Sequence, residues 1–309
     1  MKILITGGAG FIGSNVADLL IKNNIEVAVI DDLSTGKLEN VNSDAKFYKC
    51  DIREPRVFNI IEMEKPDIVI HNAAQMSVRN SVDDPENDAS INILGSINLF
   101  EACRKHGIKK IIFASSGGTV YGEQTSFPAD ETHQTKPICP YGVAKLSVEK
   151  YLYYYYVTYG MKYTSLRYAN IYGPRQDPHG EAGVVAIFSE KIIGGDQPII
   201  NGDGSQTRDY VFVEDVARAN MLAIENDFTG EINISTAVET SVNELFSLLK
   251  EISGKQNLHE LHGPAKEGEQ KRSVLSYNKA EMILGWKPKV KIRDGLAKTY
   301  NWFKDNINI

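Results

Sequence analysis

Residues 1–13, MKILITGGAGFIG, constrain this chain more than any other stretch. Lys2 to Thr6 is a run of Ile and Leu closed by Thr, the composition of a strand buried on both faces. Gly7, Gly8, Gly10 and Gly13 follow at once, and Phe11, Ile12, Val16, Leu19 and Leu20 then place apolar side chains at helical spacing. Strand, glycine turn and helix therefore succeed one another without spare residues. Glycines at such a turn let the main chain bend tightly and approach a pyrophosphate, whose charge rests on the first N–H groups of the helix. A GxGxxG by itself is a weak signal; one that follows a strand and opens a helix has the context a dinucleotide requires.

The second predicted strand, Glu26 to Ile30, runs into Asp31-Asp32, 18 residues beyond Gly13. A carboxylate there accepts hydrogen bonds from ribose hydroxyls and repels a 2′-phosphate, which favours NAD over NADP. Either Asp31 or Asp32 fits that role. Lys46 to Lys49 reads as a third strand, and Asp51 after it suits either an adenine contact or the N-cap of a helix over Pro55–Met63. Asp67 to His71 reads as a fourth strand, ending in the small residues of Asn72-Ala73-Ala74-Gln75 that allow close approach to a ligand. One continuous helix is expected over Asp84–His106, with Asn92 within it and Gly107 as its C-cap. Lys110 to Ala114 is a fifth strand leading to the Ser115-Ser116-Gly117-Gly118 run, and Pro140 opens a helix to about Tyr159. Lys162 to Arg167 is a sixth strand.

Alternation of strand and helix over this length predicts a parallel, doubly wound α/β sheet. Beyond Ala169 the periodicity loosens, and the glycines at 180, 183, 194, 195, 202 and 204 mark a loop-rich region. Short strands are expected at Tyr210–Val213 and Glu231–Ile234, with helices at Val213–Glu225, Ser241–Ile252, Asn278–Leu284 and Ile292–Lys304. Ser241 with Glu244 forms a capping-box pattern. The expected division is a dinucleotide-binding domain over 1–170, to which segments near 205–235 return, and a smaller mixed domain over 171–309.

Composition narrows the partners. Of 309 residues, 34 are Lys or Arg and 40 are Asp or Glu, a net charge of −6, which argues against nucleic acid or an anionic membrane. Cys50, Cys103 and Cys139 are widely spaced and odd in number, read as reduced thiols of a cytoplasmic protein without a signal peptide. The HxxH of His259 and His262 lacks further ligands nearby, and no metal site is expected. The tyrosines at 151 and 153–156 read as packing or a subunit contact.

Tyr141 and Lys145 lie on one face of the Pro140 helix. A tyrosine hydroxyl ionises near pH 10, too high for a base at neutrality, but an ammonium one turn away and a positive nicotinamide ring favour its phenolate. A serine at the end of the fifth strand can share the substrate oxygen and relay its proton. YxxxK alone means little; behind a dinucleotide turn and a serine-rich strand end it becomes specific.

With GGAGFIGS (7–14), DDLSTG (31–36), HNAAQMSV (71–78), SSGGTVYG (115–122), YGVAK (141–145), LRYANIYGPRQ (166–176), TRDYVFVEDVA (207–217) and LGWKPK (284–289) in place, the chain resembles the extended short-chain dehydrogenase/reductases, and among them the nucleotide-sugar 4-epimerases. The resemblance spans nearly the whole chain. It implies a Rossmann-type sheet with a smaller substrate domain, tightly held NAD, and inversion at C4 of a UDP-hexose through a 4-keto sugar. It implies Ser116, Tyr141 and Lys145 as catalytic residues, with Ser115 an alternative to Ser116. The cofactor would be held by Gly7, Gly10, Phe11, Ile12 and Gly13, by Asp31, Asp32, Leu33, Ser34, Thr35 and Gly36, and by Asp51 and Ile52. Asn72, Ala73, Ala74, Gln75, Asn92, Ser115, Tyr141, Lys145 and Ala169 complete that set.

Implied substrate contacts are Ser116, Tyr141, Asn170, Gly183, Val184, Ile199, Asn201, Arg208, Lys266, Glu269 and Ser273. Arg208 would fork onto the diphosphate; its bland alternative is an ion pair with Asp209. Lys266 and Glu269 stand where many relatives carry Arg and Asp. Ser273 falls at a position that gates the pocket around sugar C2, and its small side chain would admit a 2-acetamido group. Relatives that are 4,6-dehydratases carry Asp-Glu after the strand-five serine or threonine, where Gly117 and Gly118 stand here. A UDP-glucuronate epimerase or decarboxylase, or a non-catalytic NAD-sensing module, are the other readings. A homodimer is expected by resemblance.

Overall fold

The computed structural model describes residues 1–179, 183–265 and 270–306. β1 (Lys2–Thr6) passes through the glycine turn into α1 (Phe11–Lys22), followed by β2 (Glu26–Asp31) and β3 (Lys46–Lys49). α2 (Arg56–Glu64) and β4 (Ile68–His71) come next. No side chain caps α2, because Asp51 is spent upstream: it accepts from the Arg53 main-chain N–H at 2.8 Å and pairs with its guanidinium at 2.6 Å, closing the turn before the helix.

The single helix expected over Asp84–His106 is instead divided. After α3 (Val78–Asp83), Asp84 caps a short α4 (Pro85–Ala89); Ser90–Leu94 is a π-helical turn, and α5 (Gly95–Lys105) resumes the normal pitch. Such turns insert one residue without breaking the helix and re-aim a side chain. Here the side chain is Asn92, whose amide ties together Gln75 and Asp88.

β5 (Lys110–Ser116) leads to α6 (Gly117–Val120), and α7 (Pro140–Tyr159) opens on proline and ends at Gly160 with φ +71°. β6 (Lys162–Tyr168) and β7 (Asn170–Tyr172) follow. The region expected to be loop-rich contains α8 (Val184–Gly194), hidden from periodicity because its sequence is apolar nearly all round. Then come β8 (Ile200–Asn201), β9 (Thr207–Phe212), α9 (Val213–Glu225), β10 (Gly230–Ile234) and β11 (Glu239–Ser241). β9 begins earlier than expected and yields Val213 to the helix. α10 (Val242–Ser253) carries the capping box of Ser241 and Glu244. β12 (His262–Gly263), β13 (Arg272–Ser273), α11 (Asn278–Leu284) and α12 (Ile292–Asn306) complete the described chain.

Seven strands form one all-parallel sheet in the order β10-β6-β5-β4-β1-β2-β3. Alternation along β1 shows why it reads as continuously apolar: Ile3 and Ile5 enter the core beneath Val16, Leu20 and Ala219, while Leu4 enters the opposite core with Ile61, Phe100 and Leu152. Helices thus cover both faces. The strand beside β6 is β10, so the sheet is finished by a segment that returns from late in the sequence. A smaller mixed sheet is built on β9, which pairs antiparallel with β11 and parallel with β7 and β13. Its own core gathers Phe188, Ile192, Phe212, Leu245, Phe246 and Leu296.

Candidate active site

The predicted cofactor residues and Ser116 lie at or just beyond the carboxyl ends of the parallel strands, with Asn92, Tyr141 and Lys145 on helices, and that edge is where open α/β sheets take ligands. At the glycine turn, Gly7 has φ +69°, and a Cβ there would lie 2.6 Å from the Ala73 main-chain nitrogen. A Cβ at Gly13 would lie 2.2 Å from the Gly7 carbonyl oxygen. The turn is therefore pressed between β4 and the first turn of α1, with room for main chain only. No side chain caps α1 at Gly10, so the N–H groups of Phe11, Ile12 and Gly13 keep their outward capacity for an anion.

Asp31 is buried at the end of β2. Its carboxylate accepts from Ala9 N–H and Leu33 N–H, both at 2.9 Å, and so ties the glycine turn to the loop that follows. Burial raises its pKa, and these two N–H groups oppose the rise. Leu33 takes φ +62° in that loop, and Gly36 passes so near Asp31 that a Cβ would meet the carboxylate at 2.7 Å. Asp32 is exposed with Ser34 and Thr35, and it accepts from the Ser34 N–H at 2.9 Å. Asp31 is thus the buried acid of the two, with one lone pair on each oxygen left for a ligand.

Asp51 and buried Ile52 close the same edge behind β3. Behind β4, Asn72 is held with both ends of its side-chain amide buried and unpartnered, while Ala73 and Ala74 keep the edge low. Gln75 exchanges hydrogen bonds with Asn92, accepting at its carbonyl and donating from its main-chain N–H, each at 2.9 Å. The glycine cradle, the buried acid and the orphaned Asn72 amide together fit a dinucleotide laid across the strand ends. These same residues would hold NAD.

The chemistry-bearing pair stands on the first turns of α7. Lys145 is buried; its Nζ donates to the Ala114 carbonyl at 2.9 Å and lies 5.6 Å from the centre of the Tyr141 ring and 4.8 Å from that of Phe113. Burial lowers the Lys145 pKa to about 8, against the opposing charges of Asp88 and Glu149. Burial also holds the Tyr141 hydroxyl above its ordinary value, with Asp88 adding to the effect. In the polypeptide alone, desolvation therefore outweighs the neighbouring ammonium, and the phenol stays protonated.

Strand alternation sends Ser115 and Ser116 to opposite faces of β5. Ser115 is buried, and its hydroxyl donates to Glu149 Oε1 at 2.6 Å. Ser116 is half-buried at the strand terminus where α6 begins. Ala169 and Asn170 sit where β6 gives way to β7.

The remaining predicted residues lie on the smaller sheet, at the start of α8 and at β8. Arg208 on β9 lies opposite Ser273 on β13, and buried Ser273 presents a small side chain there. The Asp209 carboxylate is engaged by the smaller sheet's neighbouring loop. It is buried and accepts from the N–H groups of Thr236 at 2.8 Å and Ala237 at 3.0 Å and from the Thr236 hydroxyl at 2.6 Å. Gly183 and Val184 start α8, Asn201 ends β8, and Ile199 is 45% exposed just before it. Lys266 and Glu269 lie outside the described residues.

Two features escaped the sequence reading. Asp88 is buried without a cationic hydrogen-bond partner in the described contacts; its Oδ1 accepts from the side chains of Gln75 at 2.9 Å and Asn92 at 2.8 Å. Glu149, one turn beyond Lys145, forms a bidentate pair with Arg167 of β6 at 2.9 and 2.7 Å, both side chains being buried. An arginine and a glutamate at positions otherwise facing the core were the available signals.

Comparison with known proteins agrees with this geometry. The pattern of the NAD dependent epimerase/dehydratase family matches residues 3–235. A UDP-glucose 4-epimerase of Mycolicibacterium smegmatis is 43% identical over 99% of both chains. The crystal structure of UDP-glucose 4-epimerase with UDP-glucose from Thermotoga maritima superposes with a TM-score of 0.96 at 50% identity, covering 99% of each chain. That of the Thermus thermophilus UDP-glucose 4-epimerase complex with NAD gives 0.94 at 43% identity, over 99% of this chain and 100% of the other. With the glycine cradle, the buried Asp31 and the Tyr141–Lys145 pair on its strand edge, the chain belongs to the NAD dependent epimerase/dehydratase family.

Proposed function

We propose that this protein inverts C4 of a UDP-hexose, interconverting UDP-glucose and UDP-galactose through a transient 4-keto sugar. The observation that carries the proposal is the placement of Tyr141 and Lys145 beside the end of β5, with the Lys145 ammonium seated on the Ala114 carbonyl. NAD held by the glycine cradle, Asp31 and the Asn72 edge would supply reversible hydride chemistry at C4 with no net oxidation. Tyr141 takes the proton of the 4-hydroxyl and later returns it. Lys145 holds positive charge next to that phenol and lowers the cost of its ionisation. Ser116 is the relay residue favoured here, because the Ser115 hydroxyl is engaged with Glu149. Asn170, Arg208 and Ser273, with Gly183, Val184, Ile199 and Asn201, receive the nucleotide and sugar, and Arg208 suits the diphosphate.

Gly117 and Gly118 leave no carboxylate after Ser116 to eliminate water, which disfavours a 4,6-dehydratase. The small Ser273 side chain supports acceptance of 2-acetamido sugars as well. A homodimer through the α7 face is supported by exposed Val143, Tyr153, Tyr154 and Val157 on that helix and Leu94 on the π-helical turn. A cytoplasmic setting is supported by Cys50 and Cys103, buried thiols outside any disulfide. No described helix is long and apolar enough to cross a membrane. The decisive experiment incubates purified protein with UDP-galactose and no added NAD. Formation of UDP-glucose supports the proposal, and bound NAD without turnover refutes it.

A further inference from the structure

We propose that the buried Glu149–Arg167 pair is a positioning device for the reaction, which locks the end of β5 through Ser115 and balances charge one helical turn behind Lys145. The proposal rests on the assignment of Tyr141 and Lys145 made above.

Three donors converge on one carboxylate. Ser115 Oγ donates to Glu149 Oε1 at 2.6 Å, Arg167 Nε donates to the same oxygen at 2.9 Å, and Arg167 Nη2 donates to Oε2 at 2.7 Å. Arg167 Nη1 donates onward to the Tyr121 hydroxyl at 3.0 Å, and that hydroxyl donates to Asn233 Oδ1 on β10 at 2.7 Å. Ser115 and Arg167 are register partners on β5 and β6, so the network pins α7, β5, β6 and β10 together at the catalytic edge. Stability alone gives little reason for it, since a buried ion pair can often be replaced by apolar side chains of similar volume without loss.

Its position gives the reason. Ser115 lies between Ala114, whose carbonyl seats the Lys145 ammonium, and Ser116 at the strand terminus. Holding the Ser115 hydroxyl on one face turns Ser116 to the other, and fixes the height of the carbonyl under Lys145. The charged and titratable groups around Lys145 are Tyr141 and Glu149 on its own helix, Asp88 on α4, His71 on β4, and Arg167 on β6 behind Glu149. Phe113 and the Ala114 carbonyl of β5 complete its surroundings. Glu149 favours the ammonium, and its pairing with Arg167 keeps this region near neutral. Without the Glu149 charge, an unmatched guanidinium faces Lys145.

The test uses NAD-loaded Glu149→Gln, Glu149→Gln/Arg167→Gln and Ser115→Ala, compared with wild type for kcat, KM and their pH dependence. In Glu149→Gln, kcat is expected to fall roughly 10- to 100-fold, the scale of a small misplacement, with KM and NAD content little changed. Its alkaline limb moves to lower pH by about one unit, because the ammonium is lost sooner beside an unpaired cation. In the double variant the limb returns while kcat stays low, and Ser115→Ala lowers kcat without moving the limb. Tyr141 ionisation, read as ultraviolet difference absorbance against Tyr141→Phe, moves to lower pH in Glu149→Gln and returns in the double variant. That readout needs no turnover, so an inactive wild type would defeat the epimerase assignment and still test the pair. A Glu149→Gln enzyme with the wild-type limb, kcat and Tyr141 midpoint overturns the proposal, even if it melts earlier. Should Glu149→Gln fail to fold, an unchanged kcat in Ser115→Ala overturns it instead.

Discussion

Two glycines of the first turn separate what the polypeptide needs from what its cofactor needs. An alanine methyl at Gly13 would stand 2.2 Å from the Gly7 carbonyl oxygen and 2.9 Å from the Gly7 carbonyl carbon and the Gly8 Cα. The first of these is about 1 Å inside an ordinary carbon–oxygen contact. Both partners are main chain, so the turn itself must move, at an overpacking cost of roughly 1–3 kcal/mol. For a chain of this size that lowers Tm by on the order of 5 °C. Gly10 is different: its φ of −81° is open to alanine, and the nearest protein atom to a methyl there is the Gly7 oxygen at 3.3 Å. A few tenths of an ångström absorb it. What a Gly10 methyl would meet is a bound pyrophosphate, which a glycine turn of this kind lets the main chain approach. Cofactor-stripped Gly10→Ala is therefore expected to melt within about 2 °C of wild type. Its NAD affinity falls at least tenfold, about 1.4 kcal/mol. Gly13→Ala loses both stability and NAD. Calorimetry of stripped protein and chromatographic measurement of NAD after reconstitution check this. Full NAD retention by Gly10→Ala, or an unaltered Tm in Gly13→Ala, refutes the reasoning.

Tyr141→Phe should fold and keep NAD while kcat falls ~10²–10⁴-fold, and retention of a tenth of the rate would count against a phenolate base. Lys145 has its pKa lowered by burial to about 8, so its ammonium is lost as pH rises through that value. Epimerisation should accordingly decline above about pH 8, and a kcat profile flat to pH 10 would contradict this role for Lys145. The same lowering makes charged Lys145 a cost to folding below its folded pKa, a cost relieved as pH climbs toward the ordinary lysine range. Ser273→Tyr should abolish turnover of UDP-N-acetylglucosamine and spare UDP-glucose, as read by steady-state rates on both sugars.

The large sheet was legible because its inner strands are buried on both faces and its strands are bounded by turn residues, although the edge strand Lys46–Lys49 has no buried residue. Lys2–Thr6, Lys46–Lys49 and the Pro140–Tyr159 helix carry boundaries that Gly, Asp and Pro announce. The π-helical turn was not legible, since Ser90–Leu94 keeps helical composition and only the pull of Gln75 and Asp88 on Asn92 reveals the extra residue. α8 escaped because a helix buried on most sides has no polar stripe to give its period. β7, β11 and β13 are strands two or three residues long whose existence depends on β9 as a partner. At the site, the glycine turn, Asp31-Asp32 and the Tyr141–Lys145 pair could be named from spacing, and the substrate contacts only from resemblance. The Glu149–Arg167 pair could not, because nothing local in the sequence says that residues 18 apart face one another across a helix and a strand.

The position of β10 has a consequence for how the chain can be divided. A fragment ending near residue 170 would carry six of the seven parallel strands and leave β6 as a bare flank with unsatisfied main-chain donors and acceptors. It would also lose α9, the cover for α1 across the core that holds Val16 and Ala219. The nucleotide half is thus not an autonomous module that genetic fusion could lift out by cutting once. It has to be excised as two pieces rejoined by a bridge over the intervening segment from β7 through α8 and β8 to β9.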